Sequence, residues 1–209
     1  MPYVPLSIPA STPNHVARLL QRVERDFLNE IHCMFRLPIA NYRLNTGCPF
    51  TIAHSLTGVI SGVSTTLYSH GGESGKRFKG VLIDYFPFDL EPRHYPSAHV
   101  SADIIYSLYR NPLAHNFGLH LTNKTLPPAI KIKKIHSIKG RRGLTEAQVE
   151  RLERSSPRPR LASAVTVRPD ATVLGIEALY WGVRVMIERL LGDNARMNRA
   201  NGFLAPLRP

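Results

Sequence analysis

Acidic residues are scarce in this chain of 209 residues, in which 15 Asp and Glu stand against 27 Lys and Arg. The formal net charge of +12 makes a strongly basic partner unfavourable and favours polyanions, such as RNA, DNA or an acidic protein surface. Hydrophobic residues make up 43% of the chain, enough for one sizeable core, and the length fits a single domain. The charge therefore predicts the sign of the partner but does not identify it.

Cysteine is also rare. Cys33 and Cys48 are the only two in the chain, and they form no CxxC pair. No apolar leader follows Met1, and these features together predict free thiols in a reducing, cytoplasmic setting. Residues 44–72 contain no Lys, Arg, Asp or Glu, and a membrane span needs about 20 apolar residues. The many Ser, Thr and Gly there, with His54, instead predict a buried central helix and no membrane partner.

Several catalytic and cofactor motifs are missing. The chain has no Gly-x-Ser-x-Gly elbow, no paired-carboxylate motif and no dinucleotide fingerprint. Residues 71–77 resemble a phosphate-binding loop only loosely, because the glycines are one residue too close and Arg77 replaces the magnesium-binding Ser or Thr. His94 and His99 are five residues apart, whereas one helical face needs a spacing of three or four. We therefore expect neither a cofactor nor a metal.

Apolar residues at spacings of three and four predict that most of the chain is helical. The first helix is expected to end before Pro38 and to bury Val16, Leu20, Val23, Phe27, Ile31 and Met34. Further helices are expected over residues 49–68, from Ser74, from near Ser97 to Arg110, and over 170–191. The last of these should begin at a cap on Asp170, end at Gly192, and leave Glu177, Arg184 and Glu188 on the side opposite the core.

The pattern as a whole predicts a mainly α fold, an up-and-down helical bundle of about five helices with a small β-hairpin or sheet insertion. Residues 1–192 form the single domain, in which alternating patterns place the insertion at 119–169. Residues 193–209 are predicted to be a basic, flexible tail. The helix over 49–68 also carries small residues that would let another helix approach closely, within the subunit or across a dimer: Ser55, Gly58, Gly62 and Thr65.

The segment around Arg110 is the best candidate for chemistry. Asn111 followed by Pro112 is typical of a helix start, so the helix should restart or kink at Asn111. Arg110 and His115 would then occupy the two positions that meet in a hydrophobic staple. A helix N-terminus, a guanidinium and an imidazole together could hold a phosphodiester and move its proton. Alternatively, Arg110 pairs with an acidic neighbour and His115 is a core residue.

Residues 109–116, with the sequence YRNPLAHN, resemble the Arg-Asn-x-x-x-His motif of the HEPN family (higher eukaryotes and prokaryotes nucleotide-binding domains). The layout is similar to that family as well, with long helices, the motif late in the bundle and a closing helix. The resemblance implies a metal-independent endoribonuclease that works in a cleft between two subunits. It further implies that Arg110 binds the scissile phosphate, Asn111 orients its partners and His115 transfers the proton.

Two other functions remain open. The chain could be a non-catalytic dimerising or scaffold domain, in which Arg110 and His115 hold a helix junction together. It could also be a nucleic-acid-binding module that uses a solvent-facing basic run on a β-ribbon, namely Lys131, Lys133, Lys134, Lys139, Arg141 and Arg142. The expected partners are RNA and a second copy of the chain, with an inhibitory protein as a further candidate.

Overall fold

The computed structural model describes residues 3, 5–40, 48–91, 96–111, 133–136, 163–169 and 171–206, without the side chains of 36–40 and of 133–136 other than Ile135. The predicted helical bundle with a small sheet is confirmed. Its helices are α1 (Asn14–Val23), α2 (Asn29–Ala40), α3 (Pro49–Val63), α4 (Ser74–Tyr85), α5 (Ala98–Ile104), α6 (Ile176–Leu191) and α7 (Asn194–Leu204). Its strands are β1 (Lys133–His136), β2 (Val165–Val167) and β3 (Thr172–Gly175).

Helices α1, α3 and α5 each continue into a π-helical turn, in which the helix accommodates one extra residue. These turns are Glu24–Leu28, which joins α1 to α2, Ser64–Tyr68 after α3, and Ile105–Arg110 after α5. The π turn at Glu24–Leu28 shifts the buried stripe of α2 by one position, because the side chains that come after it are rotated about the helix axis.

The first helix shows the effect of this shift. Phe27 was expected in the core but is 49% exposed, whereas Leu28 and Phe35 are buried in its place. The regular spacing of apolar residues could not reveal the extra residue at 24–28. The prediction that Pro38 stops the helix is also wrong, since α2 continues to Ala40. A proline this close to the end of a helix removes one backbone hydrogen bond and leaves the earlier turns intact.

Helix α3 is the buried central helix that the charge-free segment predicted. Its residues Ile52, Leu56 and Ile60 are fully enclosed, and it packs against α6 and α4. Among the residues that the structure describes, no helix combines the length and the apolar character needed to cross a bilayer.

The sheet has the strand order β1-β3-β2, with β1 parallel and β2 antiparallel to β3. Its central strand, β3, lies in the segment that was expected to open the last helix. That helix begins at Ile176, and the predicted cap Asp170 lies outside the described residues. Thr172 and Val173 are β-branched and pair with strands on both sides, so the sheet satisfies their backbone groups better than a helical first turn would.

The residues after Gly192 are helical and packed, so the prediction of a flexible tail from 193 is wrong for the described part. Asp193 caps α7 by accepting a hydrogen bond of 3.0 Å from the Arg196 backbone N–H. Met197 and Ala200 are buried in the main core. The Arg196 guanidinium lies 4.2 Å from the Tyr68 ring centroid and donates to the Tyr68 carbonyl at 2.9 Å. These contacts outweigh the polar composition that suggested a mobile segment.

Candidate functional site

Arg110 is the last residue of the π-helical turn that follows α5. The neighbouring residues Leu108 and Tyr109 are buried, and the Tyr109 hydroxyl donates to the Thr172 carbonyl of β3 at 2.8 Å. Because Tyr109 is anchored on the sheet, Arg110 is directed away from the core and is only half-buried. The π turn therefore sets the direction in which this guanidinium points.

Neutral groups hold the Arg110 side chain. Its Nη1 donates to Asn111 Oδ1 at 2.9 Å, and its Nε lies 3.4 Å from Ser61 Oγ on α3. Its guanidinium carbon lies 5.6 Å from the Tyr106 ring centroid. In the part of the chain that the structure describes, no carboxylate pairs with Arg110. The expectation that Arg110 is neutralised by an acidic neighbour therefore finds no support among these residues.

Other arginines of the bundle are bound to carboxylates. Arg189 Nη1 lies 2.7 Å from Asp89 Oδ1, and Arg196 Nε lies 3.1 Å from Asp193 Oδ2. Their charges are already compensated, and they fasten one element to another. The contrast shows that Arg110 retains a positive charge that its described neighbours leave uncompensated, and such a charge favours an anion.

Asn111 is not the helix start that the Asn-Pro pair predicted. Its backbone has φ −63° and ψ −49°, and its N–H donates to the Tyr106 carbonyl, so Asn111 still belongs to the helical turn that precedes it. A helix-capping residue would have extended φ and ψ values. The Asn111 side chain instead accepts the hydrogen bond from Arg110. The staple geometry, which required a cap at this position, therefore has no basis in the structure.

Several predicted site residues cannot be placed. His115 lies outside the described residues, as do Lys131, Lys139, Arg141 and Arg142 of the basic run. Lys133 and Lys134 lie in β1, where only their backbone is described. Ile135 of the same strand packs against the core. Whether the lysines face solvent stays a prediction. Among the described residues, no cluster of three or more His, Cys, Asp or Glu could hold a metal, and Cys33 and Cys48 are free thiols.

Tyr106 connects the Arg110 corner to the start of α4. Its hydroxyl lies so close to Gly75 that a Cβ there would come within 2.7 Å of the oxygen, and its ring centroid is 5.4 Å from that of Phe78. A side chain at position 75 would therefore require the end of the Tyr106 side chain to shift. Sequence reasoning missed Ser61 and Tyr106, because neither belongs to the motif and Ser61 comes from another helix.

Glu91 is a second polar group that no sequence motif indicated. Its carboxylate accepts a hydrogen bond of 2.9 Å from the Ala164 backbone N–H, which lies just before β2. Burial raises the pKa of this carboxyl to about 7, against the opposing effect of that hydrogen bond. Glu91 therefore changes its charge near neutral pH, at the point where the turn after α4 meets the sheet.

Arg184 was predicted on the side of α6 opposite the core, but it is only 4% exposed. Its guanidinium lies between 5.4 and 5.6 Å from the ring centroids of Tyr3, Tyr180 and Trp181, and 3.7 Å from Glu24 Oε1. The Tyr3 hydroxyl donates to the Glu24 carboxylate, and burial together with this bond raises the pKa of Tyr3. This cluster holds the N-terminal segment over α6 and is structural.

The chain matches no family model, no curated protein and no solved structure. The function of the chain is therefore inferred from the geometry of the described residues.

Proposed function

We propose that this chain is a HEPN-like RNA-binding protein that cleaves RNA without a metal ion. In this proposal Arg110 binds and neutralises the scissile phosphate, Asn111 holds the guanidinium in place, and His115 transfers the proton. The observation that carries the proposal is the Arg110 guanidinium, which is half-buried, braced by neutral partners and paired with no carboxylate among the described residues.

The bracing contacts suit Arg110 to a phosphate. Asn111 and the Tyr106 ring fix the plane of the guanidinium without cancelling its charge, so two of its N–H groups could meet two phosphate oxygens. Pre-orientation of this kind lowers the entropy that binding must remove, and it stabilises the charge that develops on the phosphate in the transition state. The formal net charge of +12 would raise the local concentration of RNA.

The proposed reaction is attack by the RNA 2′-hydroxyl on the adjacent phosphorus. The P–O bond to the 5′ oxygen of the next nucleotide breaks, and a cyclic phosphate forms. His115 accepts the proton of the 2′-hydroxyl or returns one to the leaving oxygen, as a group titrating near neutral pH can. Arg110 compensates the additional negative charge on the non-bridging oxygens.

The proposal includes a homodimer in the cytoplasm. Gly58 and Gly62 on α3 are exposed, and among the described residues nothing lies within 4 Å of where a Cβ on either would stand. Such a surface allows close approach of a second copy. Ser61, which contacts Arg110, lies on the same helix, so a partner on this face would be near the proposed site. Two free thiols fit a reducing compartment. An inhibitory protein partner belongs to the same proposal.

The test is incubation of purified protein with structured and single-stranded RNA in EDTA. Parent protein should cleave, and His115→Ala should lose cleavage by about 100-fold or more while it retains RNA binding. Arg110→Ala should weaken both binding and turnover, and Arg110→Lys should restore binding better than turnover, because an ammonium cannot form the planar fork.

A matched control is Arg189→Ala, which removes a cation already paired with Asp89 and should leave cleavage unchanged. The proposal fails if the parent protein shows no cleavage, or if cleavage persists in His115→Ala. If Arg110→Ala also unfolds the protein while the parent is inactive, the scaffold function is the correct one. If binding persists without any cleavage, the chain is a nucleic-acid-binding module.

A further inference from the structure

An exposed aromatic pair lies where α7 meets the end of the π turn that follows α3. The rings of His70 and Phe203 are stacked at 4.0 Å between centroids with an angle of 35°. His70 Nε2 lies 3.0 Å from the Thr66 carbonyl, which fixes the orientation of the imidazole. Phe203 is nevertheless 44% exposed, and His70 is exposed as well. The pair therefore presents a rigid aromatic surface to solvent.

Two arginines lie close to the members of this pair along the chain. Arg199 is exposed and lies four residues before Phe203, on the same face of α7. Arg77 donates to the carbonyl of Gly72, whose φ of 83° shapes the loop between His70 and α4. Within the described ranges neither arginine pairs with a carboxylate. Glu73 and Lys76, in the segment between His70 and Arg77, lie 3.5 Å apart and compensate each other.

The loop that begins after His70 ends beside the Arg110 corner. The Arg110 guanidinium stacks near the Tyr106 ring, and the Tyr106 hydroxyl touches Gly75 at the start of α4. Gly75 follows the loop that Arg77 fastens through Gly72. The loop that follows His70 and the hydroxyl of Tyr106 therefore meet at the N-terminal end of α4.

We propose that the His70–Phe203 pair is a stacking platform for a base of single-stranded RNA, with Arg199 and Arg77 contacting the flanking phosphates. This inference rests on the proposed function in one respect, since it takes RNA as the ligand of the chain. It adds the substrate class, because a base can reach an aromatic platform only when it is unpaired and can turn out of its helix.

The composition of the surface favours RNA over a protein partner. A protein-binding surface of useful affinity is broad and mainly apolar at its centre, whereas this one has two rings bordered by guanidinium groups. An alternation of aromatic and cationic side chains is what single-stranded nucleic acid requires, since the bases stack and the phosphates pair. The net charge of the chain is positive and therefore attracts the negatively charged RNA.

The experiment measures RNA affinity in the His115→Ala background, so that the RNA is not consumed. The probes are a fluorescently labelled oligouridylate and an RNA duplex of the same length, at fixed ionic strength. Phe203→Leu keeps an apolar side chain but removes the ring, and Phe203→Tyr keeps the ring. The matched control is Phe27→Leu, which also removes an exposed ring, since Phe27 is 49% exposed. Phe27 lies three helical turns away from His15, the residue that contacts α7.

We expect Phe203→Leu to weaken oligouridylate binding by about 5- to 30-fold, which is the lower part of the range for stacking of one base. Phe203→Tyr and Phe27→Leu should bind oligouridylate with an affinity within about twofold of the parent. The affinity for the duplex should change by no more than about twofold in any variant. Equal affinities for Phe203→Leu and Phe27→Leu would overturn the proposal, and so would an equal loss on the oligouridylate and the duplex.

A lower mass of Phe203→Leu in light scattering, with RNA affinity unchanged, would show that the surface contacts protein and would also overturn the proposal. The result is independent of the ribonuclease test. Absence of His115-dependent cleavage refutes the proposed enzyme, whereas single-strand affinity that does not respond to Phe203 refutes the platform.

Discussion

Replacement of Glu91 by Gln should stabilise the protein at pH 8 and change its stability much less at pH 5. The Glu91 side chain is partly buried, and this burial raises the pKa of its carboxyl to about 7 from the usual 4.5. At low pH the carboxyl is protonated in both the folded and the unfolded chain, so it does not lower the free energy of unfolding. As the pH rises from 4.5 to 7 the unfolded chain releases the proton while the folded chain retains it, and stability is lost.

The magnitude follows from these two pKa values. At pH 8 the folded protein bears nearly the full effect of the difference between 4.5 and about 7, and at pH 5 it bears only a small part. Since one pH unit corresponds to about 1.4 kcal/mol, the free energy of unfolding should fall by about 2.5 kcal/mol more for the parent than for Glu91→Gln between pH 5 and pH 8. The Gln side chain has the same size and can still accept the hydrogen bond from Ala164.

The assay is urea or thermal unfolding of both proteins at several values between pH 5 and pH 8. In a chain of this size the difference corresponds to roughly 5–10 °C in Tm. Glu73→Gln is the control, because Glu73 is highly exposed and forms only a surface pair with Lys76. The argument is refuted if Glu91→Gln changes stability equally at both ends of the range, or if the variant is the less stable protein at pH 8.

Three further substitutions test the packing. Gly182→Ala should lower the free energy of unfolding by about 1–3 kcal/mol, because its Cβ would overlap the buried Phe86 ring. Gly58→Ala should raise the free energy of unfolding by up to about 1 kcal/mol, since the site is open and alanine favours the helix. A lower free energy of unfolding in urea would instead show that a partner covers this face. Met197→Ala should cost about 2–5 kcal/mol in the same assay, whereas a flexible segment at this position would show no change.

The helices of the bundle could be predicted where local pattern and packing agree. The apolar stripe of α3 and the start of a helix near Ser97 are both as expected, and Ser97 accepts a hydrogen bond from the Val100 N–H. These features depend on spacing and on capping chemistry within a few residues. The π turn at Glu24–Leu28 has no such local sign, which is why Phe27 was assigned to the core in place of Leu28.

The other errors concern contacts between distant parts of the chain. Arg184 was assigned to the solvent side because its helical face is polar, but Tyr3 and Glu24 cover that face from far away in the sequence. The segment Thr172–Gly175 continues an apolar pattern into α6 and becomes a strand only because β1 and β2 pair with it. Tertiary contacts of this kind override local preference.

Only part of the candidate site could be predicted from the sequence. The motif alone drew attention to Arg110 and Asn111, and the structure keeps the two in contact. The predicted role of Asn111 as the cap of a new helix was wrong, because its backbone is helical. The contribution of Ser61 could not be read from the motif, because it depends on how α3 packs beside the π turn.

The hydrogen bond from the Tyr109 hydroxyl to the Thr172 carbonyl has a consequence for biosynthesis. The residue that directs Arg110 outward is tied to a strand 63 positions later in the chain, and that strand is complete only when β1 and β2 pair with it. Contacts over such a separation close slowly and form late. During synthesis the N-terminal helices can assemble before residues near 175 have left the ribosome, but the Arg110 corner cannot. A nascent or truncated chain would therefore be folded in part while Tyr109 still lacks the strand that anchors it.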